Sequence, residues 1–308
     1  MGEKIPLWML QEWQAQPLDW KIERSLLRIR EFYEKNSGKV YIAFSGGKDS
    51  TALLHLVRSI YPDVEAVYID TGLEYPEIKA FVKQHENVTI LRPEMGFHEV
   101  LEKYGYPVVS KEVSMAISRY RNTKDPKMKR FRLYGVRDGK GGYLMGVIPR
   151  KWAYLVNAPF KISDACCDVM KKNPFKKFVK RTGKHPYMGV MASDSARRTR
   201  EFLKYGCNTF DKNANSKPLS FWLEEDIWNY IKRFDVPYCN IYDMGEKRTG
   251  CMFCMFGCHL EPHPNRFRRM KTSHPRLWKY CMETLGLREV LIYMGIDTGE
   301  DLLDSLIS

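Results

Sequence analysis

Short apolar runs alternate with helical repeats along this chain, and the alternation predicts its elements. Residues 40–44, 65–69 and 88–91 read as strands. Between them, 49–60 (Ala52, Leu53, Leu54, Leu56, Val57) and 76–85 read as helices. Residues 1–38 form a helical lead-in with Ile22, Leu26, Leu27, Ile29 and Phe32 at helical spacing, stopped by Lys35 to Gly38. From 217 to 234, Leu219, Trp222, Leu223, Ile227, Trp228 and Ile231 repeat helically, with Ser220 as the expected cap. Strands alternating with helices imply an α/β fold, a doubly wound parallel sheet covered on both faces. In such sheets ligands sit beyond the carboxyl ends of the strands.

Two such ends carry chemistry. After the first strand come Ser45, Gly46, Gly47, Lys48, Asp49, Ser50 and Thr51. Paired glycines let a backbone approach a ligand, and the helix start offers unpaired N–H groups to an anion. Hydroxyls and the Lys48 charge complete a phosphate or pyrophosphate cradle. It is not a Walker loop, whose Gly-x-x-x-x-Gly-Lys-Ser/Thr spacing is absent. Asp70, Thr71 and Gly72 follow the second strand.

The Ser45–Thr51 turn resembles the SGGxDS loop of the adenine-nucleotide α-hydrolases (the PP-loop superfamily). Asp70 to Glu77 is similar to the DTG-x-x-x-PE stretch of phosphoadenylyl sulfate and adenylyl sulfate reductases. Cys166-Cys167 looks like the tandem cysteine of their iron–sulfur members. The run from Lys217-Pro218-Leu219 through Trp222, Asp226, Trp228, Pro237, Tyr242 and Gly245 to Cys251-x-x-Cys254 follows that family in order and spacing, over about residues 39–258. The resemblance implies ATP or an adenylyl sulfate-type nucleotide held by Ser45 to Thr51 with Asp70, Thr71 and Gly72, Mg2+ being a candidate companion. It casts Lys48 and Asp49 as catalytic. It also implies a 4Fe–4S cluster on Cys166, Cys167, Cys251 and Cys254, where the residues alone leave tetrahedral zinc open. Adjacent ligands are expected to strain the local backbone. Residues 189–198 resemble the family's GxRAxES-x-x-R element, with Met191 for the usual arginine and Asp194 for the usual glutamate. Arg197 and Arg198 remain anion clamps and join the catalytic set.

The 308 residues carry 50 basic and 37 acidic side chains, a net charge of +13 that favours anionic partners. Residues 111–142 interleave cations (Arg119, Arg121, Lys124, Lys127, Lys129, Arg130, Arg132, Arg137 and Lys140 among them) with Tyr120, Phe131 and Tyr134. That mixture suits nucleic acid, and equally a solvated lid. No apolar run approaches membrane-spanning length. Eight cysteines without a secretory start point to a cytoplasmic, reducing setting. Cys207, Cys239 and Cys281 read as structural, Cys258 as a spare ligand, persulfide carrier or buried thiol, and His259 as solvated. The expected organisation is a helical extension at 1–38, a nucleotide-binding α/β domain at 39–250, and a cysteine-rich helical segment at 251–308 on the same domain.

The family's reductases attack sulfur with a cysteine in a Glu-Cys-Gly-x-His element, which this sequence lacks. The same core resembles the ATP pyrophosphatases that put sulfur into nucleic acid. Sulfur transfer to nucleic acid is therefore the leading expectation. Sulfonucleotide reduction, with thioredoxin as partner, comes second, and a non-catalytic nucleotide- and cluster-binding regulator third. A sulfur-donor protein is a further expected partner.

Overall fold

The computed structural model describes residues 4–135, 146–211 and 213–300. Its strands are β1 (Val40–Ala43), β2 (Ala66–Ile69), β3 (Val88–Leu91), β4 (Val108–Val109), β5 (His185–Met188), β6 (Asn208–Thr209), β7 (Asn215–Ser216) and β8 (Met255–Phe256). By contacts the chain divides into two compact units. One comprises residues up to Asp70, Glu74–Arg92 and Phe175–Thr249; the other comprises Thr71–Leu73, Pro93–Pro174 and the chain from Gly250 onward.

The first unit holds the sheet β3-β2-β1-β5-β7-β6, parallel except for β6. From β1 the chain steps to β2 and β3 on one side, then returns to β5 on the other. The carboxyl end of β1 is therefore the topological switch point, where open α/β sheets bind ligands. Tyr41 and Val67 pack with Phe178 in a buried cluster joined by Ala43, Leu91, Phe175 and Val179, so alternate strand residues meet one helix. The first two predicted strands end a residue short of, or start a residue later than, their apolar runs, while 88–91 is matched.

The lead-in forms two helices, Leu7–Ala15 and Leu18–Lys35. The second buries Lys21, Ser25, Ile29 and Phe32, while Leu27 is exposed. Two polar residues thus lie on the inward face, which hydrophobic periodicity does not show. Each is satisfied there: Lys21 Nζ reaches Asp226 Oδ2 at 2.6 Å, and Ser25 Oγ accepts from Trp222 Nε1 at 2.9 Å and donates to the Pro218 carbonyl. The later helix is Glu224–Arg233, shorter than the repeat implied. Ser220 does not cap it; its hydroxyl donates to the Lys217 carbonyl, and Asp226 accepts the Leu223 N–H instead.

In the second unit, β4 pairs in parallel with β8. The helices Phe97–Tyr104, Lys111–Asn122, Pro126–Tyr134 and Arg266–Ser273 are held by local caps, with Asn265 Oδ1 accepting from Phe267 and Arg268 at the last. Of the basic stretch, residues 136–145, with Arg137 and Lys140, lie outside the described residues.

Candidate functional site

The loop after β1 is built by hydroxyls bonding to its own backbone. Ser50 Oγ accepts from Ser45 N (3.1 Å) and donates to the Gly47 carbonyl (2.9 Å); Thr51 Oγ1 donates to the same carbonyl (3.1 Å). Ser45 Oγ lies 3.0 Å from Ser50 Oγ. These bonds fold residues 45–51 into a fixed turn before any ligand arrives. Gly46 has φ +73°, and a Cβ there would lie 2.9 Å from both Ile78 Cγ2 and Val82 Cγ2. At Gly47 a Cβ would meet Thr249 Oγ1 at 2.5 Å. Gly46 is therefore demanded by packing as well as by backbone conformation, whereas Gly47, at φ −81°, answers to packing alone.

The helix Lys48–Arg58 starts here without a side-chain cap from Gly47. The Lys48 N–H donates to Tyr242 Oη at 2.8 Å, across 194 residues of sequence. The N–H groups of Asp49 and Ser50 have no acceptor among the described residues, so two donors of the first helical turn remain for an anion.

Lys48 is buried, with Nζ 3.4 Å from Asp49 Oδ1 and 3.2 Å from Glu224 Oε1, and it lies over the Tyr242 ring. Burial works to lower its pKa, but Asp49, Glu224 and Tyr242 together more than offset that and raise it. The ammonium stays charged. Burial pushes the Asp49 carboxyl above its ordinary range; Lys48 opposes this, and Asp194 and Glu224 add to it. Asp49 Oδ1 is fully buried and lacks a hydrogen-bond partner. Three carboxylates thus bear on one another around a loop whose backbone invites an anion.

Residues 189–198 complete this side. A Cβ on Gly189 would lie 2.9 Å from the Asp49 carbonyl oxygen and 3.1 Å from Ser50 Cα, so a glycine lets the two segments touch. Asp194 Oδ2 accepts from Met191 N at 3.1 Å and is ion-paired with Arg198. Arg198 therefore spends its charge on Asp194. Arg197 and Arg198 line a cavity of about 270 Å3 with Lys217, Asn215, Glu201 and Ser220, in which Lys217 is paired with Glu201. Asp70 is held by Lys79 (2.6 Å) and Arg92 (3.8 Å). In the other unit Thr71 Oγ1 accepts from Leu73 N, and Gly72 has φ +79°.

The four predicted metal cysteines all belong to the second unit. Burial raises the Cys166 pKa well above the usual thiol range, and Cys167, Cys251 and Cys254 each raise it further. Cys254 is pushed up to about 11, by burial first and then by Cys251, with Cys167 contributing. Each of these thiols opposes the ionisation of the others, while Lys171 favours that of Cys166 and Arg266 that of Cys254. Among the described residues, no three His, Cys, Asp or Glu side chains close around a single metal ion. Cys167 has φ −63° and ψ −31°, ordinary helical values, so the expected strain is absent there. The turn after it, Asp168–Lys172, is instead widened to a π-type helix. Asp168 pairs with Lys111 (2.7 Å) and Lys172 (2.9 Å).

Arg266 supports the second cysteine pair: its Nη1 donates to the Cys254 carbonyl (2.8 Å) and its Nε to Glu261 Oε1 (2.7 Å). Cys258 is buried, donates to the Met255 carbonyl, and is pushed up to about 11 by burial. Cys207, Cys239 and Cys281 are buried. His259 is half-buried: its ring packs edge-on against Trp152 at 5.0 Å, and burial lowers its pKa.

Glu224, Tyr242 and Thr249 reach the loop without having been assigned a role from sequence. Tyr242 and Asp194 stood in motifs; Glu224 had no signal beyond lying near the start of an amphipathic helix.

A parallel sheet with a phosphate loop at its switch point defines a nucleotide-binding α/β protein. Residues 39–126 and 148–256 match the phosphoadenosine phosphosulfate reductase domain, and the chain belongs to that family. It is 28% identical over 290 residues to an uncharacterised protein of Methanocaldococcus jannaschii, covering 89% of this chain and 55% of the relative. A second uncharacterised protein of that organism is 25% identical, with 82% and 42% covered. The chain thus spans about half the length of these archaeal relatives. Adenosine 5′-phosphosulfate reductase of Geobacillus kaustophilus is 24% identical, with 80% and 86% covered. The crystal structure of phosphoadenylyl-sulfate reductase from Candida auris aligns at 14% identity and TM-score 0.45, covering 81% of this chain and 98% of that one. No described helix is long and apolar enough to cross a membrane.

Proposed function

We propose that this chain is a PP-loop enzyme of nucleotide-dependent sulfur chemistry that cleaves ATP to pyrophosphate and passes sulfur to a nucleic acid. The carrying observation is the set of carboxylates, Asp49, Asp194 and Glu224, interacting around the phosphate loop. A bare sulfonucleotide would meet only repulsion from them. ATP arrives with Mg2+, which commonly takes one or two carboxylates together with the phosphates. The engagement of Arg198 by Asp194 points the same way, since it removes an arginine that sulfate recognition would use. In this reading the Asp49 and Ser50 N–H groups and Lys48 hold and neutralise the departing pyrophosphate, and Asp49 faces the cation. Arg197 binds the anionic end of the acceptor.

Cys166, Cys167, Cys251 and Cys254 would hold the metal group. A 4Fe–4S cluster is the group proposed, because Cys166-Cys167 and Cys251-x-x-Cys254 resemble the ligands of the family's iron–sulfur members and the four thiols act on one another's ionisation. Such a group would supply electrons or a sulfur-binding iron. The setting proposed is cytoplasmic, with a sulfur-donor protein as the remaining partner.

The test is anaerobic incubation with ATP, adenylyl sulfate and phosphoadenylyl sulfate in parallel, with Lys48→Ala as control. Pyrophosphate from ATP, lost in the variant, is expected. Sulfite from either sulfonucleotide with thioredoxin would replace this reading by the reductase. Tight ATP binding with no turnover, with or without nucleic acid, would leave a regulator.

A further inference from the structure

The helix Pro126–Tyr134 buries only one residue, and that residue is Arg132. Its apolar side chains contribute no fully buried contact, and Met128 and Tyr134 are 38% and 69% exposed. What holds it is polar. Arg132 Nη1 donates to the Gly146 carbonyl (2.8 Å), the Arg132 carbonyl accepts from Ile148 N (2.7 Å), and Asp125 caps the first turn. A helix fastened by its backbone and one arginine, with one residue buried, leaves Lys127, Met128, Arg130 and Tyr134 exposed.

The cations of this region fall into two groups. Arg121 is structural, donating to the carbonyls of Leu155, Val156, Ala158 and Phe160 at 2.6–3.0 Å, and Arg132 is structural as above. Arg119, Lys124, Lys127 and Arg130 are exposed, and Lys129 lies against the Tyr120 ring at 5.6 Å. None of these five has an acidic partner among the described residues. Unpaired cations gathered on this helix and just before it repel one another, a cost that a polyanion removes by releasing its counterions.

We propose that the cations of this region, Arg119, Lys124, Lys127, Lys129 and Arg130, dock an unpaired segment of RNA, with Tyr134 on the same helix stripe as Lys127 and Arg130 (i, i+3, i+7). The cations take successive phosphates, and the Tyr134 ring offers a stacking surface for an unpaired base. Unpaired bases favour RNA loops and ends over duplex DNA, whose bases are stacked inward. The inference rests on the nucleic-acid acceptor reading for its partner, but binding is measured without turnover.

The experiment is fluorescence anisotropy of a labelled unstructured RNA against the full chain at several salt concentrations. The comparison variant combines Lys124→Gln, Lys127→Gln, Lys129→Gln and Arg130→Gln. Removing four phosphate contacts is expected to flatten the slope of log affinity against log salt by about 2.8, at roughly 0.7 per contact. Affinity at low salt falls at least tenfold, while ATP cleavage without RNA is unchanged. Tyr134→Ala is expected to weaken binding about fivefold or more with the salt slope intact, which a purely electrostatic surface would not show. Wild-type affinity and slope in the quadruple variant would overturn the placement. Equal or tighter binding of duplex DNA, or of single-stranded DNA of the same sequence, would overturn the assignment to RNA. If the wild-type chain binds no RNA and its ATP cleavage is not stimulated by nucleic acid, the acceptor reading itself falls.

Discussion

Replacing Gly46 by alanine tests the loop most directly, because two separable costs meet at one atom. The backbone there has φ +73°, a conformation that costs an L residue about 1–2 kcal/mol. The added Cβ would also lie 2.9 Å from Ile78 Cγ2 and from Val82 Cγ2, on the buried face of the helix Pro76–Lys83. Overpacking of that kind costs about 1–3 kcal/mol. The sum, about 2–5 kcal/mol, is a large part of the stability ordinary for a globular protein. Urea unfolding of Gly46→Ala should show a lower midpoint with an unchanged slope, and the nucleotide should bind more weakly because the turn must shift. The packing share is isolated by Val82→Ala, which removes one of the two methyls. The double variant should lose less stability than the two single variants summed, by about 0.5 kcal/mol or more. Strict additivity would mean that Val82 does not limit the loop, and a wild-type midpoint in Gly46→Ala would refute both costs at once.

Asp49→Asn should raise stability at neutral pH while abolishing pyrophosphate release. Burial raises the folded-state pKa of Asp49, so stability associated with its proton is present at low pH and lost as pH rises from the ordinary carboxylate range through the raised value. Melting temperatures from pH 4 to 8 should show that decline in wild type and less of it in the variant. Lys21→Met leaves the Asp226 carboxylate buried without its 2.6 Å partner and should cost about 3–5 kcal/mol in urea, with Lys21→Met/Asp226→Asn recovering most of it. Full stability in the single variant would show the pair to be dispensable. Cys251→Ser should lower iron and sulfide per chain after anaerobic reconstitution, and unchanged iron would remove Cys251 from the ligand set.

The parts of this protein legible in sequence are those written in local spacing. β1, the glycine turn and the helix after it lie in one stretch, so apolar periodicity, backbone freedom and a helix start could be seen together at residues 40–58. What escaped depends on partners distant in the chain. Tyr242 meets the Lys48 N–H across 194 residues, and no spacing rule links them. Lys21 and Ser25 sit on the buried face of a helix because Asp226, Trp222 and Pro218 await them, a fact invisible to a hydrophobic repeat. Ser220 failed as a cap for the opposite reason: a local carbonyl, that of Lys217, competes for its hydroxyl.

Charge was the least legible property, because a formal count treats every cation alike. Arg121 and Arg132 stand in the same run as Lys127 and Arg130, with nothing in their neighbours to set them apart. The fold nevertheless turns the first two onto backbone carbonyls and leaves the second pair facing outward. The same sorting occurs at the phosphate loop, where Lys48 is braced by Asp49 and Glu224 and Arg198 is spent on Asp194. A net charge of +13 therefore overstates the positive field available to a partner at the nucleotide loop and understates how concentrated it is on the unburied helix. That division suits a protein that binds a compact, cation-accompanied nucleotide at one place and a long polyanion at another.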